Sequence, residues 1–66
     1  MNIINKSIVT IENHFLDVEY EGKTYYIEIY DSGEDIQITD EDGDDVENGD
    51  LRDELYDLAI NYLENI

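Results

Sequence analysis

Residues 16–38, LDVEYEGKTYYIEIYDSGEDIQI, decide the fold, because they contain three short runs in which apolar residues alternate with polar ones. Alternation with a period of two is the pattern of a β-strand that buries one face. Glycine-containing pairs at residues 22–23 and 32–33 separate the runs and predict two-residue hairpin loops. The stretch therefore predicts three antiparallel strands joined by tight turns.

These loop positions also predict which residues face each other across the strands. The first loop pairs Val18 with Ile27, and the second loop pairs Ile29 with Ile36. Both pairings place apolar side chains opposite apolar side chains, whereas a slip of one residue would move them to the opposite face. The register therefore predicts one apolar face and one polar face.

The N-terminal segment fits a fourth strand less firmly. A loop at Asn13 and His14 would make residues 1–12 a strand in which Val9 faces Val18. His14 is accordingly expected in a turn or on the surface. A short N-terminal helix is the alternative for this segment.

Near the C-terminus, apolar residues recur at the spacing of an amphipathic helix. Asp50 is the predicted N-cap of this helix. The apolar arc of this helix covers about 200°, which is wider than the roughly 100° that one core needs. The surplus either packs on residues 1–5 or supports a homodimer through the helix. The predicted stripe consists of Leu51, Leu55, Leu58, Tyr62 and Ile66. The residues predicted to form the dimer contact are Tyr56, Ile60 and Leu63.

These patterns together predict an α+β fold in which an antiparallel four-stranded β-meander packs on one C-terminal α-helix. At 66 residues the chain is expected to form one domain, residues 1–66. A domain of this size buries only about 60% of the surface that its unfolded chain exposes. The core is therefore expected to be small.

The charge of the chain excludes several classes of function. The chain has nineteen Asp and Glu residues and three Lys and Arg residues, which gives a net charge of −16. Direct binding to nucleic acid or to an anionic membrane is excluded by repulsion. There is no Cys, and His14 is the only His, so we expect neither an enzyme nor a cofactor. No apolar run approaches the roughly 20 residues of a membrane span, and we expect a cytoplasmic protein.

One acidic stretch has part of the spacing of a calcium loop. Asp40, Asp42 and Asp44 match positions 1, 3 and 5 of an EF-hand, but Asp45 replaces the glycine at position 6 and Leu51 replaces the glutamate at position 12. An EF-hand loop also needs a preceding helix, whereas Ile36 and Ile38 predict a strand there. The sequence therefore predicts an acidic loop without a specific metal site.

The polar face of the sheet is the predicted binding surface. In the predicted register Asp17 faces Glu28 and Phe15 faces Tyr30. Aromatic rings surrounded by acids suit a basic protein partner, with the rings as anchors. The predicted partner-binding residues are Phe15, Asp17, Glu19, Tyr26, Glu28, Tyr30 and Asp35 on the sheet, and Asp40, Glu41, Asp42, Asp44 and Asp45 in the loop.

The charge density is close to that of duplex DNA. A compact chain of this length has a diameter of roughly 28 Å, a length over which a duplex carries about 16 phosphates. In size, charge and its acidic segments LDVEYEG, DSGEDIQITDEDGDDVENGD and LRDELYDL, the chain resembles the small acidic DNA-mimic proteins of phages and mobile elements. That resemblance implies an inhibitor of a host restriction, CRISPR, repair, recombination or nucleoid protein.

Two other functions are compatible with the same composition. An acidic immunity protein or antitoxin would cap a basic toxin, and an acidic subunit or cation-binding protein would have no inhibitory activity. Competition with DNA distinguishes the mimic from both. Calcium-dependent folding would favour the last.

Overall fold

The protein forms one antiparallel sheet of four strands in the order β1-β2-β3-β4, followed by one helix. The computed structural model describes residues 2–10 and 13–65, and for residues 8–10 it describes the backbone alone. The strands are β1 (Asn2–Thr10), β2 (Asn13–Tyr20), β3 (Lys23–Tyr30) and β4 (Asp35–Thr39), and the helix is α1 (Gly49–Glu64). The predicted α+β architecture is confirmed.

The turn between β2 and β3 lies one residue earlier than predicted. Glu21 and Gly22 form it, with φ angles of 51° and 78°. Positive φ at both central residues is the geometry of a type I′ turn, in which glycine occupies the second position. Val18 therefore faces Tyr25 instead of Ile27. The predicted register is wrong by two residues, and because the side-chain period is two, the apolar residues keep their face.

The register between β3 and β4 is confirmed, although the loop is longer than predicted. Ile29 faces Ile36, as expected. Four residues connect the strands instead of two, and a 3-10 turn, Asp31–Gly33, occupies most of the connection. Gly33 has a φ of 109°, and a Cβ at this position would lie 2.9 Å from Leu63 Cδ1. The turn therefore lets the end of α1 approach the sheet closely.

The N-terminal segment is a strand, so the alternative of an N-terminal helix is wrong. The predicted loop at Asn13 and His14 is also wrong, because both residues belong to β2. Ile3, not Val9, faces Val18. The pairing of β1 with β2 shifts twice, once between Ile3 and Asn5, where Ile4 is the extra residue, and once near the end of β1. Such bulges twist an edge strand and limit its pairing with other chains.

The core lies between one face of the sheet and α1. His14 is buried with it, at 3% exposure, and its Nδ1 atom lies 3.0 Å from the Tyr62 hydroxyl oxygen. The expectation that His14 lies in a turn or on the surface is wrong, because this residue continues the inward alternation of Leu16 and Val18. The buried apolar residues are Leu16, Val18, Tyr25, Ile27, Ile29, Ile38, Val46, Leu55, Ala59 and Tyr62.

The helix begins two residues earlier than the predicted N-cap would place it. Asn48 is the N-cap, and its side-chain oxygen accepts a hydrogen bond of 3.2 Å from the backbone N–H of Leu51. Asp50 lies inside the first turn, so its assignment as the N-cap is wrong. The helix packs on β3, β4 and the 3-10 turn, whereas the start of β1 lies at the far edge of the sheet. Ile66, the last residue of the predicted stripe, lies outside the described residues.

We expect Asn48→Ala to destabilise the protein by about 1 kcal/mol, because the first turn of α1 loses its side-chain acceptor. In a domain of this size that loss lowers the melting temperature by about 4–8 °C. Asp50→Ala is the matched control, and its effect should be smaller, since its carboxylate only complements the helix dipole. Thermal unfolding of both variants tests the assignment. A larger loss for Asp50→Ala would contradict it.

Candidate partner-binding surface

The outward-pointing residues of β2, β3 and β4 form an acidic and aromatic surface, which we call the outer face. In β2 and β3 they alternate with the core residues, as the period of the strands requires. The core and α1 occupy the opposite side of the sheet. The structure thus brings the seven predicted sheet residues together on one surface: Phe15, Asp17, Glu19, Tyr26, Glu28, Tyr30 and Asp35.

Acids face aromatic rings across the two central strands. Asp17 lies opposite Tyr26, and Phe15 lies opposite Glu28. The predicted pairs, Asp17 with Glu28 and Phe15 with Tyr30, are wrong because the β2–β3 register differs by two residues. The observed arrangement avoids placing two carboxylates directly opposite each other, which would cost stability.

One end of the outer face is held together by side-chain contacts. The rings of Phe15 and Tyr30 pack edge to face across the strands, with centroids 5.9 Å apart at an interplanar angle of 76°. The Tyr30 hydroxyl donates a hydrogen bond to Glu28 Oε2. This bond raises the pKa of the Tyr30 phenol above its ordinary value of 10.0, and desolvation and the charge of Glu28 add in the same direction. These three half-buried side chains therefore have defined positions.

Tyr26 presents an exposed ring on the same face. Its relative exposure is 39%, and Asp17 lies directly opposite it on β2. Glu19 is the diagonal neighbour on β2, and Glu28 is the next outward residue on β3. Asn5 of β1, which the sequence analysis did not identify, places its side-chain amide 3.4 Å from Asp17 Oδ2. No pattern in the sequence indicated this contact, since it depends on the bulged register of β1.

The acidic loop, residues 40–48, has an internal hydrogen-bond network. The Asp40 carboxylate accepts bonds of 2.9 and 3.1 Å from the backbone N–H groups of Asp42 and Asp44. Glu41 Oε1 accepts a bond of 2.9 Å from the N–H of Thr24, which faces Glu19. The loop therefore adjoins the Glu19 end of the outer face. Asp40 is half-buried, and the other predicted loop acids, Glu41, Asp42, Asp44 and Asp45, are exposed.

The carboxylates of this loop are not arranged as a cation site. Among residues 2–10 and 13–65, no group of three or more His, Cys, Asp or Glu side chains is placed to hold a metal ion. Asp40 instead accepts hydrogen bonds from the loop backbone. The resemblance of the spacing to an EF-hand therefore reflects turn chemistry, in which an aspartate side chain bonds to the backbone two residues on.

Acidic residues occur on both layers of the molecule. The principal dimensions are 29 × 20 × 20 Å, and the longest is close to the diameter of roughly 28 Å expected from chain length. Asp53, Asp57 and Glu64 are exposed on α1, on the opposite layer from the outer face. Residues 2–10 contain no acid and one Lys, so β1 is an acid-free edge. Acidic side chains are thus exposed on both layers of the molecule, and β1 carries none.

The predicted dimer contact is only partly available in the folded chain. Tyr56 is 44% exposed and Ile60 is half-buried. Leu63 packs against the core and lies close to Gly33, so the fold itself uses this side chain. A dimer through α1 stays a prediction, and its apolar contact would rest on Tyr56 and Ile60.

Comparison with models of protein families, with curated proteins and with solved structures finds no match for this chain. Within the described residues, no helix is long and apolar enough to cross a membrane.

We expect the Tyr30 phenol to ionise at a higher pH than an unperturbed tyrosine. Because its pKa is raised in the folded state, the hydrogen bond stabilises the fold fully below the ordinary pKa. Its contribution is lost as the pH rises through the raised value. Ring-carbon NMR titration of labelled tyrosine measures each phenol separately.

The control for this titration is Glu28→Ala, which removes both the hydrogen-bond acceptor and the charge. The Tyr30 pKa should fall towards its ordinary value in this variant. Tyr20, whose pKa is raised chiefly by the charges of Glu21 and Glu54, should be unaffected. An unchanged Tyr30 titration in Glu28→Ala would contradict the assigned cause.

We also expect the melting temperature to rise with NaCl. Repulsion among the acids opposes folding, and the Debye length falls from about 30 Å at 0.01 M salt to about 8 Å at 0.15 M. Asp42→Asn combined with Asp44→Asn removes two exposed charges and keeps the N–H groups that bond to Asp40. This variant should melt higher at low salt and respond less to added salt. A melting temperature of the native chain that does not change with NaCl concentration would contradict this expectation.

Proposed function

We propose that this protein is a DNA-mimic inhibitor that occupies the nucleic-acid-binding groove of a host defence or DNA-processing protein. The observation that carries the proposal is the charge density. Sixteen net negative charges lie within a 29 Å molecule, and a duplex of that length carries about 17 phosphates. A groove that binds DNA supplies the complementary positive field and steers a molecule of this kind into place.

The outer face and the adjoining acidic loop are the proposed contact. Carboxylates at Asp17, Glu19, Glu28 and Asp35 take the place of phosphates on the sheet, and the loop extends the acidic surface beyond Glu19. The Glu41–Thr24 hydrogen bond supports this continuity, because it ties the loop to the same end of β3. The two parts of the surface therefore can enter one groove together.

Aromatic rings give the proposed contact its specificity. Charge alone attracts any basic surface, whereas hot spots of protein interfaces are enriched in Tyr and are desolvated on binding. Tyr26 is the exposed ring, and the Phe15–Tyr30 pair is already packed before binding. A contact that orders few side chains on binding loses little conformational entropy.

Charge reversal on the outer face tests which layer binds the partner. Glu19→Lys with Asp35→Lys changes two exposed residues and leaves the Tyr30–Glu28 hydrogen bond in place. We expect it to weaken partner binding by more than the roughly 1 kcal/mol typical of an exposed ion pair. The matched control, Asp57→Lys with Glu64→Lys, makes the same change in net charge on α1. Equal losses in the two double variants would show that net charge, not the outer face, determines binding.

Competition with DNA decides between the mimic and an acidic module of another kind. The partner is first isolated from host lysate on the immobilised protein and eluted with a salt gradient. The native protein is then titrated into the complex of that partner with labelled duplex. Release of the DNA is the expected result. A ternary complex in which the DNA stays bound would falsify the proposal and favour an immunity or antitoxin function.

A further inference from the structure

The surroundings of Tyr26 have a chemistry more specific than negative charge. The exposed ring lies directly opposite Asp17, with Glu19 diagonal to it and Glu28 two residues along β3. Two of these carboxylates already have an intramolecular neighbour, because Glu28 accepts from Tyr30 and Asp17 lies beside the Asn5 amide. The arrangement is an aromatic platform bordered by acids of defined position.

Arginine matches such a platform better than lysine does. Its planar guanidinium stacks on aromatic rings and presents a fork of N–H donors to neighbouring carboxylates. The lysine ammonium is a compact, strongly hydrated charge that has no plane to stack. An anionic occupant is repelled by the three acids, and a second copy of this chain would bring its own outer-face acids against them.

We infer that the outer face docks an arginine-bearing surface of its partner protein, with one guanidinium stacked on the Tyr26 ring and hydrogen-bonded to the bordering carboxylates. This inference rests on the proposed function and names the chemistry of its partner. Asp17 lies opposite Tyr26 across β2 and β3. A side chain that approaches the outer face at this point therefore contacts the ring and the carboxylate together. Partners whose grooves present lysine alone gain the charge attraction without the stacking.

Two peptides of equal charge test the preference on the native chain. Each is capped at both ends and alternates four basic residues with three glycines, one with arginine and the other with lysine. We expect the arginine peptide to bind about two- to fivefold more tightly at the same salt concentration, as a cation–π contact at an exposed site allows. Amide shifts on titration should centre on β2 and β3. Equal affinities, or shifts centred on residues 40–48, would overturn the inference.

Variants assign the preference to the ring. Tyr26→Thr keeps a residue suited to a strand and removes the platform, so the preference for arginine should shrink, leaving only what the carboxylates contribute. Tyr56→Ala is the matched control, because Tyr56 is an exposed tyrosine on α1 with Asp53 and Asp57 close to it in the sequence. Its preference for arginine should equal that of the native chain. A preference for arginine that is as large in Tyr26→Thr as in the native chain would overturn the inference.

The outcomes separate this inference from the proposed function. Equal peptide affinities together with displacement of DNA from the isolated partner would remove the arginine assignment alone. An arginine preference together with DNA that stays bound would remove the mimic function and leave the docking surface. The comparison of peptides on the native chain needs no variant to fold, so equal affinities there would overturn the inference whatever the variants do.

Discussion

The pleat of β2 and β3 is the constraint on which the rest of the structure depends. Successive side chains on a strand point to opposite faces, so each strand buries one set and exposes the other. Leu16, Val18, Ile27 and Ile29 are at most 1% exposed. The residues that alternate with them point outward, among them Phe15, Asp17, Tyr26 and Glu28, which are acids and aromatics. The same alternation that builds the core therefore builds the outer face.

A small core makes this separation necessary. A buried carboxylate without a partner costs several kcal/mol, and a chain with three basic residues has few partners to offer nineteen acids. The fold meets this constraint by burying His14 as its polar core residue and bonding it to Tyr62 of α1. Lys6 Nζ lies 5.9 Å from the centroid of the Tyr62 ring. One helix side chain thus connects β1 and β2 to α1.

The sequence was sufficient for the faces of the sheet but not for all of its pairings. A register error of two residues leaves each side chain on its own face, because the side-chain period of a strand is two. The sequence therefore predicts which residues lie on the outer face. It pairs Asp17 with Glu28, whereas Asp17 faces Tyr26 in the structure. The error came from one glycine, because Gly22 suits either the first position of a type II′ turn or the second position of a type I′ turn. Only the packed strands distinguish the two.

His14 and Asn48 were missed for a related reason. A histidine between two predicted strands is typical of a turn. Only the extent of β2 shows that His14 lies on the same face as Leu16 and Val18. Asn48 and Asp50 are both good N-caps, and the choice between them depends on where the chain leaves the β4 edge, at the bridge of Thr39 with Asp45. Local propensity cannot supply that position, because it is set by tertiary packing.

The charge that opposes folding also determines how the proposed activity would work. Repulsion destabilises the free chain, and a basic partner that binds only the folded state relieves it and stabilises the fold by mass action. Such a gain is available from any basic surface, so it supplies affinity without selectivity. Selectivity has to come from groups whose interactions depend on geometry, such as hydrogen bonds and ring stacking. On the outer face those groups are the rings set between the acids, and their positions follow from the pleat that buries the core.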